Sequence, residues 1–61
     1  MSEYELIELA LQNAGYDCAP TERNLINCFM DYVDTGAWGN LDEEEVNDLT
    51  VIEMCNALIR L

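Results

Sequence analysis

The sequence predicts an all-α fold: a small bundle of three short helices over residues 2–14, 21–35 and 42–60, with a fourth if the last stretch breaks. Three observations carry this. Apolar residues recur at three-and-four spacing in each stretch. Each stretch opens on a residue whose side chain can cap a helix, and the first two run into a glycine. Alternation of apolar and polar residues, the mark of a strand, is confined to a weak trace at 4–7. At 61 residues the chain is expected to form one domain, residues 1–61.

In the first stretch Tyr4, Ile7, Leu11 and Ala14 form the apolar stripe, and Leu6 and Ala10 widen it. Ser2 and Glu5 fit a capping box, each side chain bonding the other's free backbone N–H. Gly15 stands where a left-handed C-terminal residue belongs. Pro20 biases Ala19 away from helix, and Thr21 can cap the next start. From there Leu25, Ile26, Phe29, Met30 and Val33 form a stripe wide enough for a core, with Asp31 and Tyr32 towards the other side. Gly36 closes this second helix.

Residues 37–40, AWGN, read as a loop. The third helix starts at LDEEEV, capped by Asn40 with Glu43 or by Asp42 with Glu45. A further Thr50–Glu53 pair makes a second start, so 42–60 is either one kinked helix or a short helix before a longer one. Val51, Ile52, Met54, Cys55, Leu58, Ile59 and Leu61 cover most of its circumference, leaving Glu53, Asn56 and Arg60 as the polar stripe. Such a helix has to be buried. Two short neighbours are not expected to cover it, which favours a homodimer or docking on another protein.

Composition narrows the function. With 51% hydrophobic residues the chain can fold. Thirteen acids face only Arg23 and Arg60, a net charge of -11. Nucleic acid and anionic membranes repel such a surface, so the expected partner is a protein with a basic surface. Solubility alone asks for a charge of only about 2 to 8 in a small domain. No apolar run approaches the roughly 18 residues of a membrane span. Cys18, Cys28 and Cys55 are odd in number, form no CxxC and follow no secretory signal, so reduced thiols in a cytoplasm are expected.

Chemistry has few residues to use. A calcium loop started at Asp34 places Gly39 at position 6, Asp42 at 9 and Glu45 at 12, but Gly36 and Trp38 stand where positions 3 and 5 need carboxylates. Calcium is therefore a minor alternative, and no metal or cofactor is expected. Three widely spaced cysteines without histidine match no common zinc spacing. With no histidine or lysine and one serine at the N-terminus, no enzyme is expected. Acyl carrier proteins share the small acidic helical form, but their Asp-Ser-Leu motif has only Asp48-Leu49-Thr50 as its nearest counterpart here.

Two functions are expected, from different classes. The first is an inhibitor or modulator whose acids stand where a nucleic acid would place phosphates. Asp31 and Asp34, and Glu44 and Asp48, are pairs about 5–6 Å apart on one helix face; Glu5 and Glu8 are a third. With Asp42, Glu43 and Glu45 they make the acidic candidate surface, and Trp38 and Tyr32 are its aromatic candidates. The second is a hydrophobic homodimeric or adaptor module using the C-terminal helix. In kind the chain resembles the accessory proteins that bacteriophages and mobile elements make against host enzymes, acting in the host cytoplasm.

Overall fold

A computed structural model describes residues 2–39 and 41–61, with the side chain of Glu43 set aside. It contains four helices: α1 Glu3–Asn13, α2 Glu22–Asp34, α3 Glu43–Asn47 and α4 Val51–Ile59. No strand is present among the described residues. Of the two readings of 42–60, the short helix before a longer one is the one observed. Asp48 caps the C-terminus of α3, Thr50 turns extended, and α4 starts afresh.

Local chemistry sets each boundary. Ser2, Thr21, Asp42 and Thr50 each accept the backbone N–H three residues on, which satisfies a donor that the first turn would leave free. Thr50 and Glu53 complete both halves of a capping box, at 3.2 Å each. Of the two caps weighed for α3, Asp42 makes the bond; Asn40 lies outside the described residues. At Gly15 the chain takes φ 83°, and Gly15 and Tyr16 donate N–H bonds back to Gln12 and Leu11. This is a Schellman stop, and Gly36 (φ 77°) builds the same one on Val33 and Tyr32.

The core draws on every helix: Ile7, Ala10 and Leu11 from α1, Leu25, Cys28 and Phe29 from α2, Val46 from α3, and Met54, Cys55 and Leu58 from α4. Among the described residues, no charged or polar one is buried with them. The most extensive packing is between α1 and α4. Their C-terminal ends meet, where the Asn13 side chain donates to the carbonyls of Leu58 (2.7 Å) and Ile59 (3.1 Å).

Several stripe residues are not core. Tyr4 is 59% exposed and Ile26 43% exposed, while Cys28, beyond the opposite edge of the predicted α2 stripe, is fully buried. Nor is α4 covered all round: Ile52 is 55% exposed and Ile59 37%, and Leu61 just past its end is 49% exposed. The reason is geometric. Two neighbouring helices cover one side of a nine-residue helix, and its flanks face solvent. The accessible surface is 4149 Å². A folded monomer of 6.9 kDa is expected to expose about 4000 Å². The single chain is thus as closed as a free-standing domain, and its area alone calls for no second copy.

Candidate interaction surface

The aromatic candidates face inward. After the stop at Gly36 the chain folds back and lays Trp38 on Phe29, with centroids 4.8 Å apart and planes 17° from parallel. Tyr32 meets the same ring at 6.0 Å, tilted by 52°. Its hydroxyl donates to the Ala14 carbonyl at 2.8 Å, tying α2 to the end of α1. Both residues are half-buried, so each has one edge left for solvent. Trp38 thus packs against the core.

The acids face outward. Every aspartate and glutamate other than Glu43, whose side chain is not described, is exposed. Their local roles differ. Glu3, Glu5, Glu22 and Glu53 lie in first turns, where the positive end of the helix dipole favours them. Asp42 is committed to its cap. Glu44 and Glu45 sit on the exposed surface of α3. Asp31 accepts the Tyr16 hydroxyl at 2.5 Å. That bond, with the carboxylate charge beside it, pushes the phenol above its ordinary range.

Asp34 and Asp48 are different. Asp34 ends α2 and Asp48 caps the end of α3, each at the negative end of its own helix, although Asp48 also stands two residues before Thr50, the cap that opens α4. There a carboxylate is unfavourable and a lysine would be favourable. None of the four helices carries a base in its last turn, although Arg60 caps the end of α4.

Comparison with protein-family models, curated proteins and solved structures gives no match for this chain. The residues alone therefore say what the surface can do. Among the described residues, no three acids, cysteines or histidines converge as metal ligands would. In the calcium frame the Asp42 carboxylate already accepts the Glu45 N–H at 3.2 Å, and its seventh position, Asn40, lies outside the described residues. A recess lined by Tyr16, Asp31, Tyr32 and Thr35 holds about 270 Å³. Sites for small molecules begin at roughly 300 Å³ and are mostly enclosed by several elements.

Sequence reasoning missed Tyr16 and Asn13. Tyr16 follows the C-terminal glycine directly, a position that commonly packs back on the helix. That was the available signal. Asn13 gave none, because its partners lie 45 and 46 residues away.

Proposed function

We propose that this chain is a small non-catalytic protein that binds a basic surface on another protein, where its carboxylates take the place of nucleic-acid phosphates. Occupying such a surface would inhibit or modulate the partner. The observation that carries this reading is the placement of Asp34 and Asp48. Capping and dipole effects account for acids in first turns. They oppose acids at the ends of α2 and α3. Acids kept where they weaken their own helices fit a surface selected for its charge. The excess of eleven negative charges supplies the attraction, and every described acidic side chain is exposed.

The double variant Asp34→Lys/Asp48→Lys tests this. Asp34→Lys should stabilise the end of α2 by about 0.3–1 kcal/mol, whereas Asp48→Lys favours the end of α3 and disfavours the start of α4. For a domain this size the gain at α2 is a rise in Tm of a few degrees, at roughly 4–8 °C per kcal/mol. The partner is first captured from the producing cell at low salt and released at high salt. The reading expects the more stable variant to bind that partner at least about ten-fold more weakly, a loss of roughly 1.4 kcal/mol. Undiminished binding by the variant, or capture that ignores salt, rejects it.

A further inference from the structure

Resting on that acidic-surface reading, we infer that Ile52 and Ile59 on α4 are the apolar centre of the docking surface, and that they receive a basic amphipathic segment of a partner protein. The two residues are seven positions apart, two helical turns, so they lie in line on one side of α4, about 10 Å apart along its axis. Both are exposed, and Leu61 follows just past the helix. The core does not need them. Met54, Cys55 and Leu58 already fill the buried face of α4. Isoleucine is also a weaker helix former than the charged residues that usually fill an exposed flank. Beside the pair runs the polar band of Glu53, Asn56 and Arg60, all exposed; the negative charge that favours a basic occupant is that of the whole chain, net -11.

Charge selects the occupant. A second copy would bring another net charge of -11 against the first, and like charges brought together at an interface oppose association. The surface area, already that of a free-standing monomer, gives no counterweight. A helix with an apolar stripe flanked by lysine or arginine satisfies both features at once: its stripe covers Ile52 and Ile59, and its cations meet the carboxylates.

The test titrates the intact chain with two synthetic peptides of equal positive charge, by calorimetry at low salt. One is an amphipathic lysine–leucine helix; the other is oligolysine. The amphipathic peptide should bind at least about ten-fold more tightly, the scale of burying a pair of half-exposed isoleucines. The neutral variant Ile52→Ser/Ile59→Ser should erase that preference while keeping the circular-dichroism spectrum and the oligolysine affinity of the parent. Equal binding of the two peptides by the parent overturns the inference, as does a preference that survives in the variant. Sedimentation should give a monomer; a dimer that dissolves on the double substitution assigns the face to a second copy and overturns it too. If neither peptide binds, the acidic-surface reading fails together with it.

Discussion

Three cysteines occupy two environments, and their chemistry should divide accordingly. Cys18 is exposed in the connection before α2, while Cys28 and Cys55 are fully buried. Burial pushes both buried thiols above their ordinary range, because the thiolate would lose its water. A maleimide should therefore label one thiol in the native protein and three in denaturant, counted by intact mass. The same burial links stability to pH. Above the ordinary thiol range of about 8.5 the unfolded chain loses protons that the folded chain keeps. Unfolding then becomes easier as pH rises, so the urea midpoint should hold between pH 7 and 8 and fall by pH 9.5. A midpoint unchanged to pH 9.5 counts against buried thiols. At this scale the sequence was partly legible. Cys55 stands among the apolar residues of the predicted last helix and is core, as is Cys28, which lies outside the predicted stripe of the second helix. Ile26 was misplaced because spacing gives the width of a stripe without its centre, and neighbours cover only one edge. The inward turn of Trp38 depends on the backbone path after Gly36, which periodicity does not encode.

Elements were the most legible level, because capping is local. Thr21, Thr50 and the two stop glycines act where their types and spacing placed them, and Ser2 caps α1, although the Glu5 side chain does not return the bond that a full capping box needs. The capping pair inside 42–60 likewise marked the break between α3 and α4. What local signals omit is how helices hold one another. Asn13 satisfies two carbonyls at the end of α4, groups that every helix leaves without intrahelical donors. Replacing Asn13 with Ala removes both bonds and should cost about 1–2 kcal/mol. Hydrogen exchange gives the local readout: amides in the last turn of α4 should exchange faster, while those of α2 change only with global stability. Uniform acceleration along the whole chain would mean that Asn13 supports the fold at large and holds no particular end.

At the scale of the whole molecule, one quantity acts on fold and function with opposite signs. The domain extends over 29 × 21 × 18 Å. At 0.01 M salt the Debye length is about 30 Å, so every carboxylate feels every other across the protein; at 0.1 M it is about 10 Å, and only neighbours interact. With thirteen acids against two bases, the sum at low salt is repulsive and works against the compact state. Added sodium chloride between these two concentrations should therefore raise Tm by a few degrees, at roughly 4–8 °C per kcal/mol relieved. The same screening weakens the attraction of a basic partner, so affinity should fall over the interval in which stability grows. That crossing separates charge from packing as the source of binding. An association carried by Ile52 and Ile59 alone would strengthen with the better-folded protein or stay level, since hydrophobic contact is not screened. Calorimetric titrations of the lysine–leucine peptide, paired with thermal melts in the same buffers, measure both curves. Affinity that rises with Tm across the series would show that the eleven excess charges play no part in recognition.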